Sequence, residues 1–282
     1  VTIDELNLKE VIFDWNNTNF TIFNDSVILM FNFDNRSDLG ENNTVVKDLS
    51  AFGNNGTPTG TALVNATGVY GNAMWFDGST GFVDLGDNDL LEGNTEGTVA
   101  MWINRRDNTS AVFNGVVKCD DNSGAGCSWW LDMEPTIRKG FEFTIEDSSN
   151  TLVRATYQSG FLANTWYHVV GTFNSSTVSL YLNGQLGKNV TNTITSVRNG
   201  IDPVWIGKAY SNPDYLAGMI DEVRIWNRTL SAAEISQLYM SNLQKFNSTH
   251  WELQVNKNNL TDGRYTYQAH AEDAVGNADM TE

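Results

Sequence analysis

Basic residues are scarce in this chain: 17 Lys and Arg stand against 34 Asp and Glu, a formal net charge of −17. No basic stripe exists to neutralise phosphates, so nucleic acid is excluded as a partner. No apolar run approaches the roughly 18 residues of a membrane span. The chain starts at Val1 without a leader-like segment, as a mature or excised piece would. Only three histidines occur, His168, His250 and His270, far apart in sequence. No Gly-x-Ser-x-Gly elbow, HExxH or phosphate loop is found. The two cysteines, Cys119 and Cys127, flank the short DDNSGAG loop. With no second ligand pair for zinc, they read as a disulfide pinning that loop in an oxidising compartment.

Asparagine is abundant instead. With 34 Asn and 46 Ser plus Thr, chance gives about five to six N-x-S/T acceptors. Thirteen are present: Asn16, Asn19, Asn24, Asn35, Asn42, Asn55, Asn65, Asn108, Asn174, Asn189, Asn227, Asn247 and Asn259. The excess points to an extracellular, cell-surface glycoprotein. The spread of acidic residues is consistent with solubility and with affinity for divalent cations.

Short strands recur along the chain. Val11–Trp15 and Phe20–Phe23 alternate around Asn16–Asn19, and Ser26–Phe33 is a mostly apolar strand. Ala73–Gly86 reads as a hairpin with Asp-Gly at its turn. In Gly97–Arg105, Val99, Met101 and Ile103 face inward. Phe141–Ile145 pairs with Leu152–Tyr157, Thr165–Phe173 pairs with Val178–Leu182, and Asn183-Gly184 turns the chain again. In Ala217–Trp226, alternation puts Met219, Asp221, Val223 and Ile225 on one face and Ile220, Glu222, Arg224 and Trp226 on the other. The carboxylate of Asp221 then needs hydrogen-bond donors or a cation on an apolar face. Ser231 and Glu234 form a capping box opening a short helix. The pattern calls for an all-β, two-sheet antiparallel sandwich.

Several segments resemble the laminin-G-like, concanavalin A-like jelly roll. They are Val46–Thr57 (VKDLSAFGNNGT), the F-D-G-x-x-x-F-V run within 73–86, W-x-H-V-x-G-T-F at Trp166–Phe173, V-x-L-Y-L-N-G at Val178–Gly184, and the closing strand and helix over 217–238. They occur in family order, placing the jelly roll at residues 25–241. The tail resembles late strands of immunoglobulin-like modules in prokaryotic, archaeal-type surface proteins. About 40 residues are too few for such a sandwich, which needs roughly 100, and residues 1–24 supply candidate missing strands. The expected architecture is therefore a jelly roll inserted into a small discontinuous Ig-like sandwich made of 1–24 and 242–282.

The resemblance implies structural calcium. The candidate oxygen ligands are Asp34, Asp48, Asn54 and Asp221. The fold also houses glycoside hydrolases, but Trp130-Leu131-Asp132-Met133-Glu134 carries Trp130 where the first catalytic carboxylate belongs, so no enzyme is expected. His168 reads as a structural histidine within its strand. Two roles follow. One is a structural or adhesive subunit of a filament, surface layer or adhesin, with copies of itself or neighbouring domains of the same protein as partners. There the strand Val1, Thr2, Ile3, Asp4 completes a neighbouring Ig-like sheet. The other is a calcium-dependent lectin module for cell-surface glycans, with Trp129, Trp130, Tyr210 and Tyr215 as candidate sugar-binding rings. Most of the nine tryptophans are expected in the core, with Trp102, Trp166 and Trp205 in strand motifs.

Overall fold

The computed structural model describes residues 1–106, 115–119, 126–134, 140–158, 160–209, 215–258 and 260–281, with Asn65 and Glu134 described by backbone only. Two large sheets face each other. The first has seven strands, in the order β13 (Leu152–Tyr157), β12 (Gly140–Glu146), β11 (Cys127–Glu134), β10 (Val116–Cys119), β17 (Pro203–Ile206), β8 (Phe82–Asp87) and β5 (Thr57–Thr59). The second runs β16 (Gln185–Thr191), β15 (Thr177–Leu182), β14 (Tyr167–Phe173), β9 (Gly97–Arg105), β18 (Ala217–Trp226), β7 (Asn72–Asp77) and β6 (Leu63–Thr67), with β4 (Val27–Phe31) also paired to β18. Every pairing is antiparallel. This is an all-β jelly-roll sandwich.

Inward side chains of both sheets form one core, among them Phe31, Phe76, Val83, Val99, Met101, Ile103, Trp129, Leu131, Phe141, Phe143, Val169, Ile206 and Val223. Burying such rings and branched chains is the main stabilising term.

The two chain ends build a smaller unit. β1 (Thr2–Asp4), β20 (His250–Val255) and β19 (Ser241–Lys245) form one sheet; β22 (Ala278–Met280), β21 (Tyr267–Asp273), β2 (Leu8–Trp15) and β3 (Thr18–Phe23) form the other. Among the described residues none of these strands pairs with the jelly roll. The β2–β3 turn is tight because Asn16 and Asn17 both take left-handed backbone angles, φ 50° and 61°. A second core joins Val11, Phe13, Ile22, Phe23, Trp251 and Leu253 of this unit to Met30, Ala100, Val170, Trp226 and Ile235 of the jelly roll and its helix α1 (Ala232–Tyr239). The outer face of the eight-stranded sheet is thus covered by the small unit and by α1, whose Ser231–Glu234 capping box is formed.

Two local expectations are corrected. Residues 73–86 are not a hairpin. β7 lies in the eight-stranded sheet and β8 in the seven-stranded one, so the turn carries the chain across the sandwich. Met74 and Phe76 on one side and Val83 on the other fill the same core from opposite sheets. The Asp77 carboxylate holds this corner, accepting the N–H groups of Ser79, Thr80 and Gly81 at 2.8–3.2 Å. In β18 the strict alternation fails at a bulge between Asp221 and Arg224, where Glu222 adopts φ 50°. Ile220, Val223 and Ile225 all reach the core, because the bulge shifts the face by one residue.

Candidate functional site

The seven-stranded sheet has its own outer face, where Val117, Asp132, Glu142, Thr144 and Trp205 are buried and Trp130, Arg154 and Thr156 are half-buried. Core-facing residues alternate with Val117, Trp130, Asp132, Glu142, Thr144, Arg154, Thr156 and Trp205, which point the other way. The pairing places Arg154, Thr144, Trp130, Val117, Trp205 and Asp84 in one row across six strands. Trp130 and Trp205 are two strands apart, about 9–10 Å at the usual interstrand spacing.

Glu142 organises one end of that row. Its Oε1 accepts the Trp130 indole N–H at 3.0 Å and the Thr144 hydroxyl at 3.0 Å, and pairs with Arg154 Nε at 2.8 Å. Its Oε2 accepts Thr156 Oγ1 at 3.0 Å. The Arg154 guanidinium carbon lies 5.7 Å from the Trp130 ring centre. At the other end, Lys208 Nζ sits 3.7 Å from the Trp205 ring centre and 4.9 Å from that of Phe82, with Tyr215 at 5.9 Å. Phe82 meets Trp205 edge-on at 5.9 Å and Tyr215 at 6.2 Å. The Cys119–Cys127 disulfide closes the β10–β11 end of this face, and Cys119 belongs to the apolar patch that holds Val117 and Trp205. Aromatic rings alternating with fixed donors and acceptors can hold the apolar and hydroxylated faces of a sugar.

Of the expected sugar-binding rings, Trp130 and Tyr215 are half-buried on or beside this face, and Tyr210 lies outside the described residues. Trp129 is corrected. It is fully buried in the core, its indole N–H donating to the Leu90 carbonyl at 2.8 Å. Trp205 also departs from expectation, facing outward under Lys208 rather than into the sandwich. Phe82, Glu142, Arg154 and Lys208 were missed. The period of two places Arg154 and Glu142 on a definite face, but only the sheet order brings them beside Trp130. Asp132 stands opposite Glu142 across β11 and β12, while the side chain of Glu134 lies outside the described residues.

The four expected calcium ligands do not form one coordination shell. Asp34 and Asp221 clasp the turn at 68–72. Asp221 accepts Val69 N–H at 2.8 Å, Tyr70 N–H at 3.2 Å and Glu222 N–H at 2.9 Å. Asp34 accepts Asn72 N–H at 2.9 Å and Gln244 Nε2 at 3.2 Å, with Arg36 at 3.6 Å. Gly68 and Gly71 are required there, since a Cβ on either would strike these carboxylates. Asp48 instead clasps its own loop, accepting N–H groups from Met30, Ser50 and Asn54 at 2.8–2.9 Å. Asn54 bridges Ile28 O and Asn88 at 2.9 Å. Backbone donors therefore satisfy the carboxylates that a cation was expected to satisfy. Burial pushes the Asp34 and Asp221 carboxyls above the usual range.

The acidic group with metal-ligand spacing among the described residues is Asp87, Asp89 and Glu92. A fully buried ammonium already meets it. Lys118 Nζ lies 2.9 Å from Glu92 Oε1, 3.4 Å from Asp87 Oδ1 and 2.6 Å from the Asp202 carbonyl.

The expected assembly strand pairs within this chain. Val1–Asp4 is seated in its own fold: Ile3 stands opposite Trp251, is 9% exposed, and Asp4 Oδ1 lies 2.8 Å from His250 Nδ1. His168 is buried beside Trp102 and Tyr239, and desolvation lowers its pKa to about 3. Of the acceptor asparagines, Asn16, Asn19, Asn35, Asn42, Asn55, Asn189 and Asn227 are exposed, and Asn24, Asn174 and Asn247 are half-buried. Asn108, Asn259 and the side chain of Asn65 lie outside the described residues.

A family model of the concanavalin A-like lectin/glucanases superfamily matches residues 77–236, more than half of the chain. The chain belongs to this superfamily. Domain 4 of AbnA, an extracellular GH43 arabinanase from Geobacillus stearothermophilus solved with arabinotriose, superposes with a TM-score of 0.58 at 20% identity. That match covers 75% of this chain and 97% of that one. The receptor-binding domain of botulinum neurotoxin C/D mosaic serotype gives 0.59 at 18% identity, covering 80% and 55%. The ligand-binding domain of botulinum neurotoxin serotype D, solved with N-acetylneuraminic acid, gives 0.58 at 17%, covering 80% and 54%. The chain spans about half the length of these toxin domains. At these identities the likeness concerns the superfamily fold alone. No curated protein sequence matches the chain. No helix among the described residues is long and apolar enough to cross a membrane.

Proposed function

We propose that this chain is a non-enzymatic carbohydrate-binding module of an extracellular surface glycoprotein, and that it binds glycans on the outer face of its seven-stranded sheet. The observation carrying this reading is the row Arg154–Thr144–Trp130–Val117–Trp205, in which the half-buried Trp130 lies beside fixed polar groups and the buried Trp205 continues the apolar floor. Two superfamily neighbours with bound saccharides, the arabinanase domain and the serotype D toxin domain, support the ligand class. The disulfide and the excess of glycosylation acceptors support the compartment. None of the acceptors lies in a strand of the seven-stranded sheet, so glycans on them would leave those strands unmodified.

Glu142 serves as scaffold in this reading. Its oxygens receive Trp130, Thr144, Thr156 and Arg154, which orients the indole and the guanidinium together. A glycan array probed with the fluorescently labelled protein tests the proposal. Retention on a defined set of glycans is expected, reduced at least tenfold in Trp130→Ala. No retention on any glycan, or equal retention by the variant, refutes it.

A further inference from the structure

Among the described residues Arg154 is held through its Nε alone. Its Nε donates to Thr144 Oγ1 at 3.3 Å and forms an ion pair with Glu142 Oε1 at 2.8 Å. Its two terminal nitrogens have no partner among the described residues, and the side chain is 34% exposed. The anchor itself is rigid. Glu142 is 1% exposed and is fixed by Trp130, Thr144 and Thr156 as well. The result is a one-third exposed guanidinium fork held at Nε, whose carbon lies over the half-buried Trp130 ring at 5.7 Å.

We propose that this fork receives a carboxylate of the bound sugar, so that the ligands of this module are acidic glycans bearing sialic or uronic acid. The inference rests on the reading of the outer face as the glycan site. A planar guanidinium fork and a planar carboxylate match in two parallel N–H···O bonds, a geometry no neutral hydroxyl reproduces. Pre-orientation by Glu142 lowers the entropy that binding must overcome. Glu142 neutralises one side of the guanidinium without covering the fork. Among the described residues the other acidic groups on this face are Asp132, opposite Glu142, Glu146, which accepts the Cys127 N–H and lies 3.9 Å from Arg198, and Asp84, at the far end of the row. Lys208, stacked on Trp205, adds a second positive group towards that end. The net charge of −17 repels an anion at long range, but beyond about 8 Å physiological salt screens it. Selection for the acid is therefore a short-range property of Arg154.

The test compares matched ligands on the native protein: 3′-sialyllactose against lactose, and an oligogalacturonide against its methyl ester. At least a tenfold preference for the acidic member of one pair is expected, and the preferred pair identifies the source of the carboxylate. Arg154→Met, which keeps the packed stem, abolishes the preference. Arg154→Lys, which keeps the charge but not the fork, recovers only a minor part. The ester comparison needs no variant, so a folding defect in either substitution leaves the test intact. Equal binding of acid and neutral ligands, or a preference unchanged in Arg154→Met, overturns the acidic-glycan inference and leaves glycan binding standing. Absence of binding to acidic and neutral ligands alike overturns both.

Discussion

The Lys118 ammonium lies 2.9 Å from Glu92 Oε1, with no solvent exposure of its own side chain. It also lies 3.4 Å from Asp87 Oδ1, so it pairs with two members of the acidic group Asp87, Asp89 and Glu92. Hard oxygen ligands of this kind suit calcium when nothing else neutralises them.

Native protein should therefore show no calcium-dependent rise in melting temperature from this group. Lys118→Met removes the internal cation and leaves acidic groups unpaired, a loss of about 3–5 kcal/mol for a buried pair. Millimolar calcium should restore part of that stability. Thermal melts with calcium or with chelator check this. A calcium-stabilised native protein, or a Lys118→Met variant indifferent to calcium, contradicts it.

The bulge in β18 carries a pH dependence. Burial pushes the Glu222 carboxyl up to about 7, against 4.5 ordinarily, although Arg224 at 2.8 Å and Asn242 at 2.7 Å favour its charged form. The adjacent Asp221 carboxyl is raised as well, by burial first and by Glu222 next. Between about pH 4.5 and 7 the folded chain keeps a proton that the unfolded chain has released, so this contribution to stability falls as pH rises. Buried His168, lowered to about 3, acts oppositely, because the unfolded chain takes up a proton below about pH 6.5. Glu222→Gln should remove the Glu222 effect, together with the part of the Asp221 shift that Glu222 causes, and leave that of His168. Its stability relative to native should increase from pH 4.5 to pH 8, by urea unfolding, with the whole effect on the order of 3 kcal/mol. A constant difference across that range contradicts the assignment.

The two adjacent tryptophans should separate cleanly. Trp129→Ala empties core volume and should cost about 3–5 kcal/mol. Trp130→Ala, on the outer face, should cost markedly less while weakening glycan binding. Equilibrium unfolding of both variants decides the matter.

Much of the fold was legible in the sequence because it rests on short-range signals. Ser231 and Glu234 announce their capping box, and the alternation of Val99, Met101 and Ile103 fixes the inner face of β9. Long-range placement was not legible. The Asp77-Gly78 turn looks like a hairpin until Met74, Phe76 and Val83 are found in one core from two sheets. A run of two tryptophans must point one in and one out, and nothing local decides which. The bulge at Glu222 breaks the period of two that otherwise sorts β18. The candidate site was least legible, since Arg154, Glu142, Trp130 and Trp205 meet only through the order of five strands, β13-β12-β11-β10-β17. The roles of Asp34, Asp48 and Asp221 were not legible, because carboxylates that clasp backbone N–H groups and carboxylates that bind cations look alike in sequence.

The most direct measurement is a two-dimensional NMR titration of the indole N–H signals with an array-selected glycan. The chain has nine tryptophans, distributed over both cores and the outer face. Glycan binding on the seven-stranded sheet should move the Trp130 and Trp205 signals and leave Trp129, Trp102 and Trp251 in place. Shifts confined to Trp251 or Trp15 of the small unit, with Trp130 and Trp205 unmoved, would contradict the account.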